Sequence, residues 1–180
     1  MDSVNNPHYL RFPENWETWY KRRRHRPPMR LAPVTEENHR AVIGLELHED
    51  QRTFVASNLK SIADARVHRP KLEPPALHSG AEPVGFTLLE RDEPGVPHIP
   101  RFMIDRRAQG RGLGRAGLAA IAARARAEGR SELVLSVVPG NAVARGLYAA
   151  FGFTETGEVD GGEPVARHRL APSAHLVGDQ

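Results

Sequence analysis

From Met29 onward, apolar residues come in short runs broken by glycine, proline and polar clusters, and the period within each run predicts an element. Met29 to Val34 reads as a strand. Thr35 is placed to cap a helix that carries Glu36 and Glu37 in its first turn and reaches about Leu45. Asp50 is placed to cap a second helix, in which Val55, Leu59 and Ile62 recur at i, i+4 and i+7 on one face. His68 to Pro75 reads as a loop. Ala76 to His78 and Pro83 to Leu89 follow as strands turned at Ser79-Gly80, and Asp92 to Gly95 turns into a strand from His98 to Asp105. Gly112 to Glu128 is an alanine-rich helix, with Leu113, Ala116, Ala120 and Leu118, Ile121, Ala125 available for burial and Gly129 as its C′ residue. Glu132 to Val138 is apolar on both faces, as expected of a central strand covered on both sides. A short helix from Asn141 to about Phe151 ends at Gly152. Two closing strands, Phe153 to Val159 and Pro164 to Leu170, complete a βααβββαβαββ order.

Composition and charge set the frame around these elements. The chain has 180 residues, 39% hydrophobic and 26% charged, which suits one globular α/β domain with its own core. It has no cysteine, so disulfides, thiolate catalysis and cysteine metal sites are excluded together. No apolar run is long enough to cross a bilayer and the first thirty residues carry no signal-peptide core, so the cytoplasm is the expected compartment and no membrane partner is expected. Residues 1–30 hold seven basic and three acidic side chains, a net +4 against +3 for the whole chain, which leaves −1 for the remaining 150 residues. A near-neutral body argues against a nucleic-acid groove in the folded domain; only the Lys21 to Arg26 run is suited to phosphates or an acidic partner. The expected layout is a basic, poorly ordered extension over residues 1–28, a folded domain over 29–171 and a tail over 172–180. A two-fold homodimer is the default expectation for assembly.

The segment Gln109-Gly110-Arg111-Gly112-Leu113-Gly114 lies between the strand ending near Ile104 and the helix beginning near Gly112. In that setting three glycines make either a plain turn or a phosphate cradle, where the backbone bends freely and the helix start offers unpaired N–H groups to an anion. Arg101-Phe102-Met103-Ile104-Asp105 leading into this segment resembles the acetyl-CoA motif of the GNAT superfamily of N-acetyltransferases. Thirty residues on, Asn141, Ala144, Tyr148 and Gly152-Phe153 reproduce its NxxAxxxYxxxGF pattern. The resemblance spans about residues 30 to 170. A narrower likeness, to bacterial diamine or spermine/spermidine acetyltransferases, is carried by Gln51 to Asn58, Ser61 to Ala65, Pro83 to Phe86 and Arg101 to Asp105. Ala108 and Thr87-Leu88-Leu89 depart from that narrower pattern.

The resemblance implies a single-domain GNAT fold: a mixed central sheet of six or seven strands flanked by helices, with a splayed strand pair holding acetyl-CoA. It implies that the backbone of Phe102, Met103 and Ile104 holds the pantetheine, that Gly110, Gly112, Leu113 and Gly114 offer N–H groups to the pyrophosphate, and that the Gln109 side chain closes the loop. Arg111 and Arg115 either assist the phosphates or face water. Asn141 is a helix cap, a pantetheine partner, or both. Tyr148, a phenol of ordinary pKa about 10, is the expected acid for the leaving thiolate. Candidates for the general base are Glu46, Glu90, Asp92 and His98, of which the imidazole, ordinarily near 6.5, best suits neutral pH. Binding a polyamine requires acidic groups along a groove, and Glu46, Glu49, Asp50 and Glu163 are the candidates; Asp64 and Asp160 read as solvated. His39, His48, His68, His78 and His168 show no metal-binding spacing, and no GxSxG elbow occurs. The expected activity is transfer of acetyl from acetyl-CoA to a primary amine, foremost a small polyamine. Alternatives are another small amine such as an aminoglycoside or amino acid, a protein N-terminus, or a non-catalytic acyl-CoA-binding regulator.

Overall fold

The computed structural model describes residues 28–91 and 96–171. The elements in chain order are β1 (Met29–Ala32), α1 (His39–Ile43), α2 (Asn58–Val67), β2 (Leu72–Glu73), β3 (Ala76–Ser79), β4 (Glu82–Arg91), β5 (Pro97–Ile104), α3 (Leu113–Ala127), β6 (Glu132–Ser136), α4 (Ala142–Phe151), β7 (Thr154–Asp160) and β8 (Glu163–Arg169). They build an eight-stranded sheet in the order β1-β3-β4-β5-β6-β8-β7, with β2 paired to β4 off that path. Every pairing is antiparallel except β5 with β6.

Strand alternation divides the core between the two faces of the sheet. Ala76, Phe86 and Met103 pack with Val42 and Leu45, beneath α1 and α2. Their chain neighbours Leu77 and Ile104 pack with Ala108 and Leu113 on the α3 side. The largest cluster joins Leu118, Ile121, Ala122 and Ala125 of α3 to Leu89, Ile99, Leu133, Leu135 and Ala166 of the sheet, and takes in Tyr148 and Phe153 from α4 and its exit. Helix α3 ends as its sequence predicts. Gly129 takes φ +74°, its N–H bonds the carbonyl of Arg126, and the N–H of Arg130 reaches back to Ala125.

The one parallel pair is where the sheet opens. β5 and β6 meet at a single register position, His98 opposite Val134, and pair nowhere beyond it. Two features of β5 account for this. Leu88 pairs with Arg101 but Glu90 with His98, so β5 carries one residue more than β4 across that step, a bulge that bends the strand. Pro100 lies within the bulge and has no N–H to give a neighbour. The strands therefore diverge toward Ile104 and Ser136.

Several elements differ from the expectations. The first helix begins at His39, because Asn38 and not Thr35 takes the capping position; the Asn38 side chain instead accepts the Thr35 N–H at 2.8 Å. The second helix starts eight residues after Asp50. Ser57 caps it by accepting the Lys60 N–H at 3.2 Å, while Glu49–Gln51 forms a 3-10 turn. Only part of the expected apolar face is used: Ile62 packs against the cluster of Val42 and Leu45, but Val55 precedes the helix, Leu59 is 59% exposed, and α2 buries Asn58, Ser61 and Ala65. The asparagine is satisfied by donating to the Val42 carbonyl at 2.9 Å. The loop His68 to Pro75 contains β2, β1 stops at Ala32, and β6 stops at Ser136. β6 is interior, but it buries Leu133 and Leu135 on one face and leaves Val134 half-buried on the other. The Asp92 to Gly95 turn, the Lys21 to Arg26 run and the C-terminal tail lie outside the described residues.

Candidate active site

The glycine segment begins from a rigid anchor, Asp105, which follows β5 and is buried. Its carboxylate accepts two hydrogen bonds from the Arg107 guanidinium at 2.8 and 3.1 Å, the Arg107 N–H at 2.9 Å and the Glu46 N–H at 3.1 Å. The Arg107 side-chain bonds, opposed by burial and joined by the two backbone donors, hold its pKa down at about 2. The Asp105 carbonyl accepts the N–H groups of Ala108 and Gln109. The Gln109 side chain turns back on the strand: its Nε2 donates to the Ile104 carbonyl at 2.9 Å. The same side chain exchanges two amide hydrogen bonds with Gln51, at 2.8 and 3.2 Å, tying the loop to the segment between α1 and α2.

Gly110 and Gly112 both have left-handed backbones, φ +70° and +74°, which glycine adopts without strain. Gly112 caps α3, a helix with no side-chain hydrogen bond at its N-cap and no acidic residue in its first turn. The first N–H groups of α3 and the positive end of its dipole are thus left for an anion, with no carboxylate competing. Gly114 faces Leu147 of α4; a Cβ there would stand 3.0 Å from the Leu147 methyl, so this glycine lets the two helices approach.

The N–H of Asp105 bonds the Val84 carbonyl on β4. By alternation Met103 also turns its amide groups to β4, while Phe102 and Ile104 turn theirs toward the opening beside β6. A cavity of about 260 Å³ runs along this edge, lined by Phe102 to Ile104, Gln109, Gly110, Gly112 to Arg115, Asn141, Leu147 and Tyr148. Leu47, Gln51, Phe54, Val55 and Val143 close its sides, contributions with no signal in the motifs. Every cofactor-binding residue expected from the sequence lines this cavity except Arg111, which is exposed on the loop itself. Arg115 is committed: its Nη1 donates to the Ala150 carbonyl at 2.7 Å and its guanidinium lies over the Phe151 ring. A second cavity of about 60 Å³ fills the splay between β5 and β6 and shares Phe54, Val55, Phe102, Asn141, Ala144 and Tyr148 with the first.

Tyr148 stands at the junction of the two. Its ring packs edge-on to Phe153 at 5.9 Å, and the turn Gly152-Phe153 is made possible by φ +114° at Gly152, whose successor's N–H returns to the Tyr148 carbonyl. Burial pushes the phenol up to about 12. Asn141 caps α4, its Oδ1 accepting the Ala144 N–H at 3.1 Å, which leaves its Nδ2 donors uncommitted to any described residue. Glu163 lines the smaller cavity. His98 does not reach either cavity. It sits at the far, paired end of β5, its Nδ1 3.3 Å from Glu90, so the splay that opens the site carries the histidine away from it. Glu46 is paired with Arg106 at 2.7 Å, and Glu49 and Asp50 are exposed on the 3-10 turn; none of the three lines the two cavities. Asp92 lies outside the described residues. Among the described residues no group of three or more His, Asp or Glu is arranged to hold a metal ion. Among them, too, no helix is long and apolar enough to cross a membrane.

A splayed parallel pair, a helix start with no side-chain cap behind a glycine turn and a buried phenol between two adjoining cavities suit the cleft of an acyl-transferring enzyme. The chain belongs to the acetyltransferase (GNAT) family, matching it over residues 12–153, and is an acetyltransferase. It is 32% identical over 145 residues to a spermine/spermidine N(1)-acetyltransferase of Bacillus subtilis (strain 168), an alignment covering 75% of this chain and 94% of that protein. An acetyltransferase from Thermus thermophilus has a similar structure, with TM-score 0.58, 27% identity and coverage of 79% of this chain and 97% of the other. The fold is shared as well with a spermidine N-acetyltransferase from Vibrio cholerae solved with CoA and spermine, at TM-score 0.62 and 16% identity, over 79% and 96% of the two chains.

Proposed function

We propose that this enzyme transfers acetyl from acetyl-CoA to a primary amine of a polyamine, spermidine, spermine or a diamine, by direct transfer in a ternary complex. The acceptor class is carried by the similarity to a polyamine acetyltransferase over nearly that protein's whole length. Direct transfer is supported by the absence of any cysteine to carry an acyl intermediate and by the two cavities that share one wall at Tyr148.

Acetyl-CoA supplies an activated thioester; the remaining work falls to the chain. The cradle fits such a ligand: the first turn of α3 receives the pyrophosphate, and the gap-facing amides of Phe102 and Ile104, with the Asn141 Nδ2 donors, hold the pantetheine. An N–H of β5 directed at the thioester oxygen stabilises the negative charge that develops there. Tyr148, kept protonated by burial, delivers a proton to the departing sulfur. Glu49 and Asp50, exposed on the segment that borders the cleft at Leu47 and Gln51, are the carboxylates proposed to meet the further ammonium groups of a long acceptor, with Glu46 beside them already paired to Arg106.

The test is a panel of acceptors with CoA release as readout. Turnover of spermidine or a diamine well above amino acids, aminoglycosides and peptide N-termini is expected. Preference for one of the latter overturns the polyamine assignment, and CoA binding without turnover on any amine identifies a non-catalytic binder.

A further inference from the structure

Glu163 opens β8 and is half-buried in the smaller cavity, where Arg101 and Tyr148 are the other charged or titratable side chains. Its Oε2 accepts a 2.7 Å hydrogen bond from the Ser136 hydroxyl on the adjoining strand β6. Several carboxylates elsewhere in the fold are matched to cations, Glu46 to Arg106, Glu73 to Arg91 and Arg124, Asp105 to Arg107 and Glu155 to Arg145, while others such as Glu49, Asp50 and Asp160 are exposed to water. Glu163 has a neutral hydroxyl in place of a cation. A carboxylate partly removed from water and steered by a hydroxyl is a site awaiting a cation. It lies in the splay itself, across a cavity wall shared with the region assigned above to acetyl-CoA.

We propose that Glu163 is the catalytic residue of the acceptor side: it receives the ammonium group of the substrate and takes its proton before transfer. This rests on the reading of the larger cavity as the acetyl-CoA site. One carboxylate oxygen accepts a proton from R–NH3+, giving R–NH2 and a neutral acid. The freed lone pair forms the C–N bond to the acetyl carbon as the C–S bond breaks, and that bond's electron pair leaves with sulfur. Sulfur takes the Tyr148 proton, and the surplus proton on nitrogen restores the phenol. Glu163 returns its proton to solvent, so one proton is released per acetyl transferred. Ser136 is the positioning residue, fixing the carboxylate.

The experiment compares wild type with Glu163→Gln, which keeps an acceptor for Ser136 but takes no proton. With spermidine at pH 7, kcat/KM is expected to fall about 100-fold or more. The deficit should shrink as pH rises toward the amine's own pKa, about 10 for an alkylammonium, because the acceptor then arrives deprotonated. CoA affinity, read by calorimetry, stays at the wild-type value. Ser136→Ala, a milder change, should lower kcat/KM several-fold with the same pH signature, and it carries the test if the glutamine variant does not fold. Wild-type kcat/KM in both variants overturns the proposal while leaving the polyamine assignment standing. A deficit equal at every pH from 7 to 10 overturns it too, since that marks a structural role. Should wild type prefer another amine, the same comparison made with that amine decides the role of Glu163 apart from the acceptor's identity. Loss of CoA binding in wild type would sink the reading of the cleft itself.

Discussion

Replacing Tyr148 by phenylalanine isolates the acid from everything else the residue does. The ring stays, and with it the edge-on contact to Phe153 and the place in the main core cluster. The hydroxyl makes no hydrogen bond to another described residue, so its loss leaves no buried partner stranded and stability should change by less than about 1 kcal/mol. Catalysis should change far more. With the phenol pushed up to about 12, only about one molecule in 10,000 is ionised at pH 8, against about one in 100 for an ordinary tyrosine, so the proton is present in nearly every enzyme molecule. Removing a placed general acid lowers the rate roughly 100- to 10,000-fold. The expected outcome is a kcat lowered by at least about 100-fold with acetyl-CoA affinity within about twofold of wild type, measured by thiol release and calorimetry respectively. The sign of the pH effect follows from the raised value: activity needs the protonated phenol, so Tyr148 causes no fall in kcat until pH approaches 12. An unaltered kcat in the phenylalanine variant, or a descending limb centred near pH 10, the ordinary phenol value, that the variant abolishes, would refute this account.

Gly112→Val places a β-branched side chain at φ +74°, a conformation costing a non-glycine residue at least about 1–2 kcal/mol, and CoA affinity should fall tenfold or more by calorimetry. Gln51→Ala removes both amide bonds to Gln109, each worth about 0.5–1.5 kcal/mol, and should weaken CoA binding up to about tenfold while sparing the fold; unchanged affinity would show that the loop holds without this tie. Asp105 has its pKa depressed from an unfolded value of about 3.9 to about 2, so its stabilisation is complete above about pH 4 and is lost as pH falls through 2. Discounted for the exposure of Arg107, that contribution is about 1 kcal/mol; urea unfolding between pH 5 and 2 should show it in wild type and not in Asp105→Asn. Leu118→Ala empties a fully buried position between α3 and the sheet and should cost about 2–5 kcal/mol in the same assay, with little effect on the cleft.

The parts of the site legible in the sequence are those where one backbone position demands one residue type. Gly110 and Gly112 need a left-handed φ, Gly129 and Gly152 end helices for the same reason, and Asn141 caps its helix three residues ahead of the N–H it accepts. Each constraint is local, so the glycine segment and the Asn141 to Phe153 pattern stand out in the chain before it is folded. The region between α1 and α2 does not, because Asp50 and Ser57 are equally good caps on paper. Burial decides between them, and the structure starts the helix where Asn58 meets the Val42 carbonyl and Ala65 meets the core.

Contacts that depend on register leave no local trace. Gln51 and Gln109 are 58 positions apart, Ser136 and Glu163 are 27, and neither pairing follows from the type of either residue. His98 illustrates the converse. Its chemistry suits a base, but β5 must stay paired with β6 at that end for the strands to part at the other, so the residue that secures the hinge of the splay is held away from its mouth. The same geometry separates the two halves of the cleft. The donor side, as proposed, is written in backbone conformation, in glycines, a helix start and strand amides. The smaller cavity, proposed for the acceptor, is lined by side chains on β5, β6, α4 and β8 that only the folded sheet brings together. Ser136 and Glu163 line the smaller cavity and not the larger one, so specificity for the amine should change through these two residues while the glycine segment stays constant.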